Sequence, residues 1–279
     1  MKNYHRDVQY DSHLYMGNMN YTTNADFQLI LRVFLRPGPT GVGVVDSIAL
    51  DGTTHYTHDA VAWGTGELEN FRKGYKKLGE TAWSNKCWLI PPTSYTELDY
   101  PFTLDGPPVP PARGQHRVQC NLRCRLVIEL LHDASDAHVI IDAIKFVPKT
   151  GQEPRPDAGR LFQTSAADFW TTDVPGRKYL TNTIIHELGH NLGMPHIGVT
   201  VGKPLATTPG SAVCTVATQN LAICYDGNTP AQSACRMGDG KNFCASDADP
   251  WLNRVEVHTG IAKADWTAKL SRWAPRPRP

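Results

Sequence analysis

The chain predicts an α+β fold, and three observations carry that prediction. Apolar, β-rich runs recur through the first 150 or so residues, as in Asp26-Phe27-Gln28-Leu29-Ile30-Leu31-Arg32-Val33-Phe34-Leu35. Glu67 to Trp83 carries Leu68, Phe71, Tyr75, Leu78 and Trp83 at helical spacing with Lys and Glu between them. Cys214, Cys224, Cys235 and Cys244 lie in a Gly/Ser/Thr-rich stretch of 31 residues with little regular pattern. A chain of 279 residues, 41% of them hydrophobic, is long enough to bury a sizeable core.

The elements follow in order. The 26–35 run is apolar on both faces and reads as a buried strand, ended by Arg36-Pro37-Gly38-Pro39-Thr40-Gly41. After the 67–83 helix, Cys87-Trp88-Leu89-Ile90 is a short strand closed by Pro91-Pro92. The five prolines of residues 101–115 mark an exposed excursion. Two further strands are expected over Arg125–Leu131 and His138–Val147, then a linker or surface loop from Lys149 to Arg160 and a strand over Leu161–Thr164. Gly176 to Gly193 reads as a helix with Ile184, Ile185, Leu188 and Leu192 as its apolar positions. A last helix is expected from about Asp249 to Leu270, through Trp251, Leu252, Val255, Val257, Ile261, Trp266 and Leu270, although Gly260 interrupts it. Trp88, Trp170, Trp251, Trp266 and Trp273 are expected to pack in cores or interfaces.

Net charge is +1, which removes the electrostatic case for nucleic acid or an anionic membrane as partner. No apolar run approaches the roughly 18 residues that would span a bilayer. The start, Met1-Lys2-Asn3-Tyr4-His5-Arg6-Asp7, lacks the apolar stretch of a secretory signal, so export is expected by another route or after loss of a leader. The tail, residues 271–279, is too proline-rich for a helix and is expected to fray.

Of seven cysteines, Cys214, Cys224, Cys235 and Cys244 crowd into 31 residues of loop-like sequence. That density reads as a lobe stapled by two disulfides in an oxidising space, with three possible pairings. Four free buried thiols, or a second zinc site lacking any C-x-x-C pair, are the alternatives. Cys87, Cys120 and Cys124 leave at least one odd thiol.

Residues 186–196 read His-Glu-Leu-Gly-His-Asn-Leu-Gly-Met-Pro-His. His186 and His190 are four apart and stack on one helix face. Gly193 suits the left-handed conformation that ends a helix, which lets the chain return His196 as a third ligand. Three imidazoles with an open fourth position make a catalytic rather than a structural zinc site. The competing reading, a helix with surface histidines, needs the glycine and third histidine to be coincidences. His55 and His58 are the other spaced pair, and read as surface histidines.

This run resembles the elongated zinc signature of the metzincin metalloendopeptidases. The resemblance is strict over these 11 residues and looser elsewhere. It implies one zinc ion held by His186, His190 and His196, with Glu187 as general base toward a zinc-activated water in peptide hydrolysis. It also implies a single catalytic domain over 1–279. An upper subdomain, 1–196, would hold a twisted mixed sheet, a backing helix and the zinc helix. An irregular lower subdomain, 197–270, would end in a helix, with 271–279 as tail. The clan carries a methionine in a turn beneath the metal, and Met237, in Cys235-Arg236-Met237-Gly238-Asp239-Gly240, is the one methionine after His196. A loop methionine in a core is its plainer use. Tyr225 is a candidate oxyanion or substrate contact, with an ordinary loop tyrosine as the alternative.

The chain departs from the best-known subfamilies. Ile197 stands where adamalysins have Asp, and Asp239 where astacins place a zinc-reaching Tyr. Met237-Gly238-Asp239-Gly240 followed by Pro250-Trp251 and a terminal helix is similar to metallopeptidase effector domains of bacterial type VI secretion components. The expected partner is therefore a protein or peptide substrate. An inhibitor or immunity protein would be a further partner if the chain is a toxin aimed at a periplasmic or cell-wall target. A non-catalytic zinc module is the reading from another class, and Glu187 argues against it.

Overall fold

The computed structural model describes residues 4–15, 25–48, 55–94, 121–146, 159–163, 169–170, 178–219, 221–238 and 240–273. The strands are β1 (Tyr4–His5), β2 (Asp11–Tyr15), β3 (Ala25–Pro37), β4 (Gly41–Ile48), β5 (His55–Val61), β6 (Cys87–Ile90), β7 (Leu122–Leu130), β8 (Val139–Phe146), β9 (Gly159–Gln163), β10 (Phe169–Trp170) and β11 (Thr267–Leu270). The α-helices are α1 (Glu67–Trp83), α2 (Lys178–Asn191), α3 (Ile197–Thr200), α4 (Pro230–Ser233) and α5 (Asp249–Thr259). The fold is mixed α+β with a mixed sheet, as the sequence predicts. Contacts divide it into two compact units, one of residues 1–30, 82–127 and 243–279, the other of 31–81 and 128–242. β3 and β7 run from one unit into the other. His186, His190 and His196 all lie inside the second unit.

In the first unit β2 pairs antiparallel with β1 and with the start of β3, Asp11 opposite Ile30 and Tyr15 opposite Asp26. β6 pairs antiparallel with β7 and β11. Phe27, Leu29, Trp83, Leu89, Leu122 and Trp251 are buried. The Trp251 indole donates to the Arg125 carbonyl at 3.1 Å, which satisfies its one polar atom. The expected 249–270 helix stops at Thr259. Gly260 takes φ 72°, and its N–H closes on the Glu256 carbonyl at 2.7 Å. A 3₁₀ turn over Lys263–Asp265 and strand β11 follow instead. Trp266 and Leu270 had continued a helical spacing that the left-handed glycine breaks. The indole of Trp273 is exposed, not packed. β1 and β2 were missed because β1 is only two residues long and Asp11, Ser12 and His13 are poor strand formers by type.

In the second unit β3 runs parallel to β8, Val33 opposite Val139 through Pro37 opposite Ala143, while β5 and β9 flank β8 antiparallel. β4 and β5 form a hairpin that sequence patterning missed, since Gly41 and Gly43 interrupt its alternation. α1 occupies the expected span. Its polar side chains serve strand backbone: Arg72 Nε donates to Leu35 O at 2.8 Å, Lys76 Nζ to Ile128 O at 2.5 Å, and Glu80 Oε1 accepts from Ile128 N at 2.9 Å. α2 also lies within its expected span. Among the described residues no helix is long and apolar enough to cross a membrane. The proline-rich 101–115 stretch, most of the 149–160 loop and residues 274–279 of the tail lie outside the described residues, as do the side chains of His55, His58 and Trp170.

Two glycines of α1 separate packing from propensity. A Cβ on Gly79 would come within 2.5 Å of Leu188 Cδ1 and 2.6 Å of Ile128 Cδ1, whereas one on Gly74 meets nothing within 4 Å. Gly74→Ala is expected to stabilise by about 0.5–1 kcal/mol through helix propensity. Gly79→Val should destabilise by about 1–3 kcal/mol through overpacking. Urea unfolding midpoints of the two variants will move in opposite directions if α1 and α2 meet at Gly79.

The first unit also holds a histidine cluster, built around a buried His258, that no spacing announced. His258 on α5 is 1% exposed, with its Nε2 2.9 Å from Ser12 Oγ and its ring 4.6 Å from that of His5. Burial first, then the charges of His5, His13 and Arg254, hold His258 down to about 3, from an ordinary value of 6.5. Arg254 is itself paired with Asp7 at 2.7 Å. On acidification the unfolded chain therefore takes up this proton first. Stability should fall as pH is lowered from about 6.5 toward about 3 and be indifferent to this group above that window. His258→Gln should flatten that slope in urea titrations at stepped pH; parallel curves for the two proteins would refute it.

Candidate metal centre

α2 sets His186 and His190 one turn apart, with ring centroids 4.9 Å from each other. The helix then ends as the sequence predicts. Gly193 has φ 82°, its N–H bonds the His190 carbonyl at 2.8 Å, and the Met194 N–H bonds the Gly189 carbonyl at 3.0 Å. This pair of bonds is the Schellman closure, and it reverses the chain within a few residues. His196 returns with its ring 4.6 Å from His190 and 5.0 Å from His186.

All three imidazoles are tied at Nδ1 to backbone carbonyls: His186 to Arg236 O, His190 to Met194 O and His196 to Gln219 O, each at 2.7 Å. A carbonyl only accepts, so each Nδ1 carries the proton and donates. Each Nε2 then holds a lone pair. These three atoms face one another, with His196 Nε2 3.0 Å from both His190 Nε2 and His186 Nε2. No hydrogen bond can join acceptors, so the three lone pairs repel unless a cation lies between them. A tetrahedral zinc with Zn–N of about 2.0–2.1 Å would space its nitrogens by about 3.3–3.4 Å, a few tenths from what is found. Among the described residues this is the one His/Cys/Asp/Glu group able to hold a metal ion.

Electrostatics keep the imidazoles ready. Burial first, then the neighbouring His190 and His196, push His186 down to about 3; burial and then His190 push His196 down to about 4. Both are neutral near pH 7, as metal ligation requires. Glu187 is 8% exposed, and its Oε2 lies 4.0 Å from His190 Nε2. It borders the nitrogen cluster without being one of its ligand atoms.

Two loops complete the surroundings. The Met237 turn closes through Gly238 N to Cys235 O at 3.0 Å. It supplies the Arg236 carbonyl to His186 and the Met237 carbonyl to Ile197 N at 2.7 Å, so the turn is fastened to both ends of the histidine run. Met237 itself is buried. The other loop runs between Cys214 and Cys224, which are joined by a disulfide. It carries Gln219, and Tyr225 follows it directly. The Tyr225 ring lies 3.7 Å from that of His196 and stacks on His186 at 5.7 Å, so this tyrosine lines the imidazole cluster. Cys235 and Cys244 are also disulfide-bonded, so all four expected cysteines are oxidised rather than free or metal-bound.

Sequence reasoning missed the three carbonyl acceptors, because a backbone oxygen has no letter. It also missed Tyr75 on α1. Burial pushes the Tyr75 phenol up, Asn191 lies beside it, and the Glu187 charge acts in the same sense as burial.

The Cys214–Cys224 bridge clamps two contacts of one ligand, the Gln219 carbonyl and the Tyr225 ring on His196. It also presses on the chain just past that ligand, since a Cβ on Gly198 would come within 2.5 Å of Cys224 O. Replacing both cysteines by Ser should weaken metal binding by about 10–100-fold, the usual effect of releasing a ligand's outer partner. Competition against a chromophoric chelator measures this, and unchanged affinity would show that the loop orients nothing.

No known protein family, characterised protein or solved structure matches the chain, and the functional reading therefore rests on the geometry of these imidazoles.

Proposed function

We propose that this chain is a zinc-dependent endopeptidase of the metzincin type. The observation that carries the proposal is the convergence of three unprotonated Nε2 atoms, each oriented by a carbonyl on its far side. A zinc ion held by His186, His190 and His196 would supply a Lewis acid and bring the pKa of a coordinated water to about 7.

The remaining work falls to side chains of this protein. Glu187, largely withdrawn from solvent, takes the proton of the attacking water and returns it to the leaving amine. Tyr225 directs its ring along His196 and His186, where its hydroxyl would donate to the charge that grows on the scissile carbonyl oxygen. Met237, buried in the turn whose Arg236 carbonyl holds His186, would give the imidazoles a soft apolar floor that does not compete for the metal. Two disulfides suit a protein working in an oxidising, extracytoplasmic space, whether as a secreted protease or as a toxin delivered to another cell. Its partner would be a protein or peptide substrate, with an immunity protein in the toxin case.

Metal analysis and a peptide-library digest test the reading together. The purified protein should carry about one zinc per chain, and His190→Ala should lose it. Glu187→Gln should keep the zinc and lose about 10²–10⁴-fold in peptide turnover. A zinc-loaded wild type that cuts no peptide would instead make this a binding module. Full turnover in the Glu187→Gln protein would remove Glu187 from the chemistry.

A further inference from the structure

Two buried thiols stand apart from the metal centre. Cys87 opens β6 and Cys124 lies in β7; both are free and fully buried. The antiparallel register sets Trp88 opposite Arg123 and Leu89 opposite Leu122. One step further along that ladder, Cys87 stands opposite Cys124, on the same face. Asn85 N donates to the Cys124 carbonyl at 2.9 Å, which holds the chain against β7 just before Cys87. Opposed residues of an antiparallel pair have Cα atoms about 4.5–5.5 Å apart, inside the roughly 4.4–6.8 Å that a disulfide spans.

We propose that Cys87 and Cys124 are a cross-strand dithiol that closes to a further disulfide as the chain folds in an oxidising space. The oxidant is a small-molecule disulfide such as oxidised glutathione. One cysteine thiolate attacks it, forms a mixed disulfide and releases one glutathione. The second cysteine thiolate attacks the protein sulfur of that mixed disulfide and releases the other. The cysteines lose two electrons and two protons, and both end on the two glutathione thiols.

Timing follows from burial. Burial first, then a hydrogen bond to the Cys87 thiol and the Cys87 charge, pushes the Cys124 thiol well up, and both sulfurs are closed off from a dissolved oxidant in the folded chain. Exchange therefore belongs to the folding chain, before these strands are covered. Once closed, the bond ties the strand that follows α1 to β7 and encloses residues 88–123, the proline-rich stretch included. With Cys214, Cys224, Cys235 and Cys244 already bonded, Cys120 becomes the single thiol of the chain.

The full chain, denatured and reduced, is refolded in a reduced/oxidised glutathione mixture, then denatured, alkylated and peptide-mapped without reduction. The expected map contains a peptide pair joined through Cys87 and Cys124, two hydrogens lighter than its separate parts, with alkylation at Cys120 alone. Cys120→Ser should keep the cross-link and take up no alkylating agent. Cys87→Ser should expose Cys124 as a second alkylated thiol. Alkylation of both Cys87 and Cys124 in material whose Cys214–Cys224 bond has formed would overturn the proposal, as would a cross-link from either of them to Cys120. None of these readings depends on peptidase activity, so the pairing and the zinc chemistry succeed or fail separately.

Discussion

Three hydrogen bonds from imidazole N–H groups to main-chain oxygens hold the rest of the site in place. Each fixes one tautomer, and together they turn three ordinary bases into a convergent set of lone pairs. The three acceptors come from separate places: the turn after α2, the Cys214–Cys224 loop and the Met237 turn. The irregular part of the chain is therefore irregular to a purpose. Its carbonyls are not consumed by a helix or ladder, and so remain free to orient ligands. A regular element could not have offered single oxygens at three such angles.

The site was legible from sequence where its geometry is local. His186 and His190 needed only the helical period, and Gly193 only the known habit of glycine at helix ends. The return of His196 followed from those two facts. What sequence could not supply was distance in space between residues far apart in the chain. Tyr225 lies 29 positions past His196 and Gln219 lies 23 past it, and nothing in either letter announces a neighbour. Tyr75 sits more than a hundred residues before Asn191, and only the crossing of α1 and α2 brings them together.

The fold shows the same division. α1 matched its sequence span because one helix face carries its own signal, Phe71, Tyr75 and Trp83 all being buried. β3 was visible as a continuous apolar run for the same reason. The hairpin of β4 and β5 and the strands β1 and β2 were not, because they are assembled by pairing rather than by composition. The last helix failed in the opposite sense. Trp266 and Leu270 are spaced as a helix would space them, and a single left-handed residue at Gly260 overrides that pattern.

The polar face of α1 has a bearing on self-association. Arg72, Lys76 and Glu80 occupy backbone oxygens and an N–H of β3 and β7 that would otherwise stay available to another extended chain. Exposed strand backbone invites any passing extended segment to add itself. Side chains carried on a helix close those positions without a further strand. An extended segment of a second molecule that approaches these strands thus finds the main-chain groups already spoken for.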